Sequence, residues 1–488
     1  MITVTFDATW WLILVFITDL AIRIAAIIVV PRNRRPTAAT AWLLAIYFIP
    51  FIGVLLFLLI GNPRLPRKRR RKQEQINTYI HDTSAHLDFG TLRPHAAEWF
   101  TSLVTLNRNL GAMPLAGDNA AHLISEYQKS LDSMAEAIRE ATRYVHVEFY
   151  ILQTDESTDN FFRALEEAAA RGVTVRVLMD HWANRGKPFY KKTMRRLTDM
   201  GAQWHLMLPV QPFKGKYQRP DLRNHRKLLV VDGTVAYMGS QNVTDSTYNL
   251  KKNIRRGLHW VDLMARLEGP VVASINAVFL SDWYSETDEV LTEEIDLFSV
   301  KSGPGDLDCQ IIPSGPGFEF ENNLRLFLGL IYYAQRKIII VSPYFVPDEA
   351  LLNAITTACH RGLHVELFVS EEGDQAIVYH AQRSYYEVLL RAGVKIWMYR
   401  KPYILHSKSM TIDDETAIIG SSNMDMRSFG LNMEISMLVR GEPFVAEMRD
   451  VEASYRALSR ELTLEEWETQ PLRSTVLDNL ARLTSALQ

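Results

Sequence analysis

The chain has 488 residues, which is room for two or three domains, each with a core of its own. Its formal net charge is only -2, so the overall charge supports no conclusion about a charged partner. The two cysteines, Cys309 and Cys359, have neither metal-ligand spacing nor the spacing of a disulfide framework. We expect both to be buried as small apolar residues.

Two hydrophobic segments open the chain. Residues 38–60 are 23 positions without a charge, about the length that crosses roughly 30 Å of hydrocarbon, and predict a transmembrane helix. Residues 8–30 are as long but contain Asp19 and Arg23, which can pair on one helical face. A cleavable signal peptide fits poorly, because no basic region precedes the first segment and a second segment follows at once. The sequence predicts a membrane hairpin with a basic flank over residues 1–72; the alternative is a buried hairpin of a soluble protein.

Basic residues on either side of the second segment bear on its orientation. The cluster after it contains Arg64, Arg67, Lys68, Arg69, Arg70, Arg71 and Lys72, against Arg32, Arg34 and Arg35 in the loop before it. The positive-inside rule then favours a cytoplasmic location for the rest of the chain, although the first segment alone argues the opposite. The cluster is either a solvated flank or, beside a bilayer, an attractor of anionic headgroups at about 1 kcal/mol per basic residue.

A pattern of strands alternating with helices occurs twice in the remaining sequence. Residues 144–152 and 171–180 are apolar, β-branched segments separated by a helical stretch, and residues 337–346 and 361–370 repeat them. Such segments are typical of buried strands with helical crossovers. The sequence predicts a duplicated α/β domain, with a connector over 73–112 and domains over 113–300 and 301–488.

The frame His-x-Lys, four residues, Asp, six residues, Gly-Ser-x-Asn is present in both halves. The first copy has His225, Lys227, Asp232, Ser240 and Asn242, and the second has His406, Lys408, Asp413, Ser421 and Asn423. Asp232-Gly233 predicts a tight hairpin turn, and His225 and Lys227 then project from one face of a strand. An imidazole beside an ammonium group is electrostatically unfavourable unless an anion lies between them. A phosphate diester is an anion that would suit this position. Each residue alone could be structural, but their joint recurrence at identical spacing indicates a function.

With these motifs the chain resembles the phospholipase D superfamily and is similar, more closely, to bacterial cardiolipin synthases. Further support comes from the paired amino-terminal hydrophobic segments and from residues 260–270, 314–318, 343–348 and 420–435. The resemblance covers essentially the whole chain. It implies two phospholipase D-like domains in a pseudo-twofold arrangement, anchored to a bacterial cell membrane as a multi-pass protein. The copies differ after Gly-Ser-x-Asn, where Asp262 follows Asn242 by 20 residues and Glu434 follows Asn423 by 11.

The resemblance also implies a role for each site residue. Displacing an alcohol from a phosphodiester requires a nucleophile on one side of phosphorus and a proton donor on the other. By resemblance, we expect His225 to be the nucleophile and His406 to be the proton donor. The implied phosphate ligands are Lys227, Lys408, Asn242, Asn423, Ser240 and Ser421; Asp262 and Glu434 orient the histidines, and Asp232 and Asp413 support the motif. No cofactor and no metal are expected, because the lysines already supply positive charge.

The implied reaction transfers a phosphatidyl group between two phosphatidylglycerol molecules, giving cardiolipin and glycerol through a phosphohistidine. The basic and aromatic residues 211–223 and 249–257 would suit anionic membrane lipid, or are ordinary charged loops. The tail, 464–487, lies on lipid or docks on the domain.

Several alternative functions use some of the same features. A hydrolytic phospholipase D, or a transferase with another alcohol acceptor, would use the same residues. A nuclease has no evident use for a charge-free membrane segment, so nucleic acid is not expected as a partner. A membrane-anchored scaffold would have no reason to keep both motifs.

Overall fold

The computed structural model describes residues 3–483 except 33, 35, 63, 85–96, 212–215 and 292–302. The helices are α1 (Thr3–Val29), α2 (Pro36–Phe48), α3 (Pro50–Ile60), α4 (Arg67–Thr83), α5 (Glu98–Gly111), α6 (Tyr127–Glu140), α7 (Asp159–Ala170), α8 (His181–Asn184), α9 (Tyr190–Asp199), α10 (Lys251–Arg256), α11 (Val271–Thr287), α12 (Asn322–Tyr333), α13 (Glu349–His360), α14 (Ala376–Arg383), α15 (Tyr386–Ala392), α16 (Met426–Gly430), α17 (Glu442–Ala457), α18 (Leu464–Glu468) and α19 (Leu472–Arg482). The strands are β1 (Leu115–Ile124), β2 (Tyr144–Phe149), β3 (Thr174–Asp180), β4 (Gln203–Met207), β5 (Val210–Gln211), β6 (Lys216–Tyr217), β7 (Arg223–Asn224), β8 (Lys227–Val231), β9 (Val235–Gly239), β10 (His259–Val261), β11 (Met264–Glu268), β12 (Leu307–Ser314), β13 (Lys337–Val341), β14 (Phe345–Val346), β15 (His364–Ser370), β16 (Lys395–Tyr399), β17 (Tyr403–Leu405), β18 (Ser409–Ile412), β19 (Thr416–Gly420), β20 (Met424–Asp425), β21 (Asn432–Arg440) and β22 (Ser459–Leu462).

The chain divides into two compact units, Met1–Arg64 and Leu65–Gln488. In the first unit, α1 contains the expected ion pair, with Arg23 Nε 2.7 Å from Asp19 Oδ2. Within the described part of the chain, α1 alone is long and apolar enough to cross a membrane: its stretch Trp10–Val29 has a mean hydropathy of 2.6.

The predicted continuous transmembrane helix over residues 38–60 is not formed. Ile49 leaves the helical conformation at φ -137° and ψ 70°, which divides the segment into α2, of 13 residues, and α3, of 11 residues. Proline lacks an N–H and disfavours helical backbone in the residue before it, so Pro50 explains the break. At 1.5 Å per residue, neither helix alone reaches across about 30 Å of hydrocarbon.

Part of the basic cluster lies in α4 and is bound to the protein itself. Arg69 donates hydrogen bonds of 2.8 and 2.7 Å to Glu286. Lys72 donates to the carbonyl of Tyr284 at 2.8 Å and pairs with Asp288 at 2.7 Å. These acceptors lie at the carboxyl end of α11, where unpaired carbonyls and the helix dipole favour cations. The cluster is therefore more than a solvated flank, because two of its residues bind α4 to α11.

One long sheet runs through the second unit, and its strand order repeats about its centre. The order is β22-β16-β15-β13-β18-β19-β21-β12-β1-β11-β9-β8-β2-β3-β4. The central strands β1 and β12 are antiparallel, with Leu115 opposite Gln310. Outward from them, β11-β9-β8-β2-β3-β4 matches β21-β19-β18-β13-β15-β16, so the halves are related by a pseudo-twofold. The prediction of an α/β fold with two tandem repeats is confirmed. The boundary between 300 and 301 lies outside the described residues and stays a prediction.

The strands predicted from the repeated apolar segments are β2, β3, β13 and β15. β2 pairs with β3 and β13 pairs with β15, both in parallel, and the crossovers contain α7 and α13. Every residue of β2 is buried, as expected for a strand covered on both faces. The apolar helix α11 is almost entirely buried and packs in a core to which strands of both halves contribute.

Two smaller expectations concern the cysteines and the tail. Cys309 is buried in β12, but Cys359 is only partly buried, because it lies in the last turn of α13. In the tail, Asp478 of α19 is buried with its Oδ1 2.6 Å from His380 Nδ1 of α14. The described part of the tail therefore docks on the domain, and residues 484–488 lie outside the described residues.

Candidate active site

Each copy of the motif forms a β-hairpin whose turn is fixed by its aspartate. Asp232, at φ 53°, and Gly233, at φ 73°, begin the turn between β8 and β9. The carboxylate of Asp232 accepts backbone hydrogen bonds of 2.8 to 2.9 Å from Thr142, Arg143 and Tyr144. Burial raises the pKa of Asp232, but these hydrogen bonds outweigh it and hold the pKa below its ordinary value. Asp413, at φ 49°, accepts from Gln335, Arg336 and Lys337 in the same way. Both aspartates therefore join the hairpin to the strand beside it.

Backbone pairing between the halves brings each histidine to the opposite half. β7 pairs with β21, and the backbone N–H of His225 donates to the carbonyl of Met433 at 2.8 Å. β17 pairs with β10, and the N–H of His406 donates to the carbonyl of Val261 at 2.7 Å. Glu434 follows Met433 and Asp262 follows Val261 along the chain, so each histidine meets a carboxylate of the other half.

The side chains complete this crossed pairing. Nδ1 of His225 is 3.0 Å from both carboxylate oxygens of Glu434, and Nδ1 of His406 is 2.6 Å from Oδ1 of Asp262. All four residues are buried. Because Nδ1 is used by the carboxylate, Nε2 of each ring is the atom that can act on a substrate. The sequence predicted these four residues together but gave no indication that the pairs cross.

The serines of the two motifs hydrogen-bond to the carboxylates. The hydroxyl of Ser240 donates to Asp262 Oδ1 at 2.6 Å, and that of Ser421 donates to Glu434 Oε2. Each serine oxygen also accepts the N–H of the residue after its carboxylate, at 3.0 Å. In this structure the serines fix the carboxylates, and their predicted contact with phosphate stays a prediction.

The asparagines that follow the serines have different partners in the two halves. Oδ1 of Asn242 accepts from the N–H of Ile151 at 3.0 Å, and its Nδ2 donates to the hydroxyl of Tyr248 at 2.8 Å. Asn423 is also buried, but its Oδ1 has no hydrogen-bond partner among the described residues. Binding of a phosphate oxygen by either amide stays a prediction.

Two buried lysines make the centre electropositive. Nζ of Lys227 donates to the carbonyl of His225, and Nζ of Lys408 to that of His406. Burial lowers the pKa of both, that of Lys408 to about 8 and that of Lys227 well below its ordinary value. Burial, Lys227, Lys408 and Arg427 lower the pKa of His225 well below its ordinary value. Burial and Lys408 lower the pKa of His406 to about 4.

The two carboxylates differ in the charge that they carry near neutral pH. Burial raises the pKa of Glu434 to about 7. Burial also raises the pKa of Asp262, but His406, Lys408 and the Ser240 hydroxyl outweigh that effect and keep it below the ordinary value. Asp262 is therefore the more fully ionised partner, and it stabilises an imidazolium on His406 more strongly than Glu434 does on His225.

Two tyrosines beside the histidines were not predicted from the sequence. The ring centroid of Tyr150 is 4.8 Å from that of His225, and Nζ of Lys227 is 5.4 Å from the Tyr150 centroid. The ring of Tyr248 lies 6.5 Å from that of His406. Tyr150 directly follows β2, and the carboxyl ends of parallel strands are where ligand-binding residues of α/β folds gather, which is a signal that the sequence offered.

The predicted site residues thus fall into one centre, with Asp232 and Asp413 at the turns. In the ranges that the structure describes, there is no group of three or more His, Cys, Asp or Glu residues that could hold a metal ion.

Known proteins are similar to this chain in sequence and in fold. A family described as "Cardiolipin synthase, PLD-like domain" matches residues 134–275 and 327–453, and a family described as "Phospholipase_D-nuclease N-terminal" matches residues 21–62. Cardiolipin synthase A of Proteus mirabilis is 31% identical over 465 residues, which are 93% of this chain and 94% of that protein. The chain belongs to the cardiolipin synthases of the phospholipase D superfamily.

Other relatives extend the similarity to almost the full length. Cardiolipin synthase A of Pectobacterium atrosepticum is 30% identical over 485 residues, covering 98% of both chains. The fold is shared with phosphatidylserine synthase of Haemophilus influenzae, at a TM-score of 0.59 and 17% identity over 80% of this chain and all of that one. The predicted resemblance to the cardiolipin synthase family is confirmed. Together with α1, the family indicates a membrane-associated phosphatidyltransferase.

Proposed function

We propose that this enzyme transfers a phosphatidyl group from one phosphatidylglycerol to a hydroxyl of another, producing cardiolipin and glycerol. The observation that carries the proposal is the crossed histidine pairing, which builds one centre from the two copies of the motif. Two imidazoles with the buried ammonium groups of Lys227 and Lys408 supply a nucleophile, an acid and the charge to hold a phosphodiester. Family membership supports a phospholipid as the substrate.

In the first step, Nε2 of His225 attacks the phosphorus of the donor lipid. The bond from phosphorus to the glycerol oxygen breaks, and that oxygen takes a proton from Nε2 of His406. Glycerol leaves, and the phosphatidyl group remains on His225 as a phosphohistidine. Lys227 and Lys408 stabilise the charge on the non-bridging oxygens while the bonds change.

In the second step, the headgroup hydroxyl of another phosphatidylglycerol replaces glycerol. His406, now neutral, removes the proton of that hydroxyl as its oxygen attacks phosphorus. The bond between phosphorus and His225 breaks, which releases cardiolipin and restores both histidines. One phosphodiester has replaced another, so the reaction is nearly balanced in energy and needs no nucleotide.

The assignment of the histidines has support from their partners. His406 faces Asp262, the carboxylate whose pKa lies below its ordinary value despite burial, and this ionised partner favours a protonated ring. Burial, Lys227, Lys408 and Arg427 lower the pKa of His225, and this environment favours a neutral, nucleophilic ring. A bound phosphodiester adds negative charge that the free protein lacks, and it raises the pKa of His406 toward the range in which the ring can carry a proton.

Contact with an anionic bilayer is part of the proposal. The interval between Asn242 and Asp262, which is longer than that between Asn423 and Glu434, contains α10. The four basic residues of α10 are exposed, and Ile254 beside them is 57% exposed. Residues 211–223, the other basic stretch, lie partly outside the described residues. α1 anchors the enzyme; a second crossing by residues 38–60 and a cytoplasmic location of the catalytic unit remain predictions.

The test is to incubate the purified enzyme with phosphatidylglycerol alone in detergent and to identify the products by mass. We expect cardiolipin and glycerol in equal amounts. Phosphatidic acid and glycerol, with no cardiolipin, would instead identify a hydrolytic phospholipase D, and a new diester formed only with an added alcohol would identify another acceptor.

A further inference from the structure

The loops that follow equivalent strands of the two halves carry opposite charges. After β3 come Arg185 and Lys187, and after β15 come Glu371, Glu372 and Asp374. A site built from two equal halves would present the same charge on both sides. Glu371 pairs with Arg460 and Glu372 pairs with Arg256, whereas Asp374 accepts a hydrogen bond from Tyr344. The two loops therefore differ in that one presents cations and the other presents the carboxylate of Asp374, which indicates that the two sides bind different chemical groups.

Asp374 is a carboxylate in the loop after β15, and Arg256 of α10 donates to the carbonyl of the preceding residue, Gly373, at 3.1 Å. Oδ1 of Asp374 accepts the hydroxyl of Tyr344 at 2.9 Å, and that hydroxyl accepts Nε2 of Gln375 at 3.2 Å. Burial lowers the pKa of Lys408, and Asp374 is one of the carboxylates that oppose this effect, so it lies within electrostatic reach of the phosphate site. A carboxylate there repels a phosphate, but it accepts hydrogen bonds from alcohol hydroxyls.

Tyr248 and Lys187 face the same region, on the side of His406. Nζ of Lys187 lies 5.7 Å from the ring centroid of Tyr248, and the Tyr248 ring is edge-to-face with that of His406 at a centroid distance of 6.5 Å. The Tyr248 hydroxyl accepts from Asn242, so its own proton can go to a substrate oxygen. Burial raises the pKa of Tyr248 and lowers that of Lys187, and Asp374 is among the charges that act on both.

We propose that Asp374, Tyr248 and Lys187 form an acceptor subsite that recognises a phosphoglycerol headgroup. The inference rests on the proposed function. Asp374 accepts hydrogen bonds from the hydroxyls that do not react, Tyr248 donates to the glycerol, and Lys187 binds the phosphodiester of the second lipid. The subsite holds the leaving glycerol in the first step and the attacking glycerol headgroup in the second. It thereby favours a polyol over water or a simple alcohol.

Competition between two alcohols tests the carboxylate. The donor is the 4-nitrophenyl ester of phosphatidic acid, whose leaving group needs no polyol contact, and the full-length enzyme receives equal concentrations of glycerol and 1-propanol. We expect phosphatidylglycerol to exceed phosphatidylpropanol. Asp374→Asn should lower that product ratio by roughly 10-fold to 150-fold, the range for losing a hydrogen bond to a charged group. A ratio measured in one tube is independent of the amount of folded enzyme.

Glu372→Gln is the matched control, because it removes the same charge from the same loop. Glu372 pairs with Arg256, and we expect the control to keep the wild-type product ratio. Release of nitrophenolate by Glu372→Gln should equal that by the wild type. An unchanged ratio in Asp374→Asn, an equal fall in Glu372→Gln, or a wild-type enzyme without preference for glycerol would each overturn the polyol site.

Lys187→Met tests the anion-binding part of the subsite. We expect it to raise the KM for phosphatidylglycerol as the acceptor at least ten-fold while leaving the KM for free glycerol within about two-fold, since free glycerol has no phosphate. Equal effects on both acceptors would overturn the role of Lys187. Failure of the proposed function is seen separately, as phosphatidic acid formed by the wild-type enzyme from phosphatidylglycerol alone, whereas the alcohol competition still reports on the subsite.

Discussion

Glu434→Gln should disable His225, although the two residues belong to different halves of the sequence. Both oxygens of Glu434 lie 3.0 Å from Nδ1 of His225, and both residues are buried. Glutamine keeps the size of the side chain but removes its charge and presents one acceptor oxygen. A hydrogen bond to a charged group contributes about 1.5 to 3 kcal/mol, which corresponds to a loss of roughly 10-fold to 150-fold in the step that His225 performs.

The assay measures covalent capture and turnover separately. Labelled 4-nitrophenyl donor is mixed with each variant and quenched, and the protein-bound label is counted. We expect Glu434→Gln to slow capture, as His225→Ala abolishes it. Asp262→Asn should leave capture from this donor within about three-fold but slow turnover of phosphatidylglycerol, as His406→Ala does, because only glycerol needs a proton to leave.

Double variants show which residues act as a unit. Adding Glu434→Gln to His225→Ala should have no further effect, whereas adding it to His406→Ala should give a larger defect than either change alone. If Glu434→Gln instead behaves like His406→Ala, and Asp262→Asn like His225→Ala, the crossed pairs are not the catalytic pairs and the reasoning fails. Label on His406 in the His225→Ala protein would reverse the assignment of nucleophile and acid.

Glu434 loses its charge as the pH falls through about 7, and Lys408 loses its charge as the pH rises through about 8. The rate of covalent capture from the 4-nitrophenyl donor, which needs no proton from His406, should therefore fall on both sides of a maximum between these values, and a flat profile from pH 5 to 9 would contradict this. Asp232→Ala removes several hydrogen bonds and should lower the free energy of unfolding by about 2 kcal/mol or more. The kcat of the folded variant should be nearly unchanged. A variant with a normal Tm and no activity would contradict the structural role of Asp232. EDTA should leave turnover intact, and restoration of lost activity by one divalent ion would refute that. A chain truncated to begin at Leu65 should retain activity on detergent-dispersed lipid. A chain that begins at Asn77 lacks the first part of α4 and should have a lower Tm than the chain that begins at Leu65. An equal Tm would show that the first part of α4 contributes little to stability.

The fold, and the candidate site residues that the structure brings together, could be predicted from the sequence because their signals are local. The buried strands are continuous apolar segments, and the duplicated motif marks the same residue types at the same spacing in both halves. The crossed pairing was not accessible in this way, since it depends on β7 meeting β21 and β10 meeting β17 across the fold. One signal in the sequence was not used. Asp262 and Glu434 each precede a glycine, Gly269 and Gly441, by seven residues, whereas their distances from the histidines of their own halves differ. The spacing from the glycines therefore marks Asp262 and Glu434 as equivalent positions.

The membrane segment shows where composition is an incomplete guide. Residues 38–60 satisfy a length and charge criterion that takes no account of the backbone. Pro50 cannot donate a backbone hydrogen bond, and the conformation that it imposes on Ile49 ends α2. In contrast, the pairing of Asp19 with Arg23 depends only on helical periodicity, and that prediction is confirmed.

The unequal halves explain why one chain with two motifs is better suited to this reaction than a dimer of one motif. In a symmetric dimer either histidine can take either role, whereas the reaction needs one neutral ring and one protonated ring at the same time. A single chain can change one half alone. Here the histidine partners are glutamate and aspartate, and Asn242 donates to a tyrosine while Oδ1 of Asn423 has no hydrogen-bond partner among the described residues. The interval that leads to the carboxylate contains α10 in the first half and α16 in the second. Crossed pairing then makes each half depend on the other, because neither histidine has its carboxylate unless both halves are folded together.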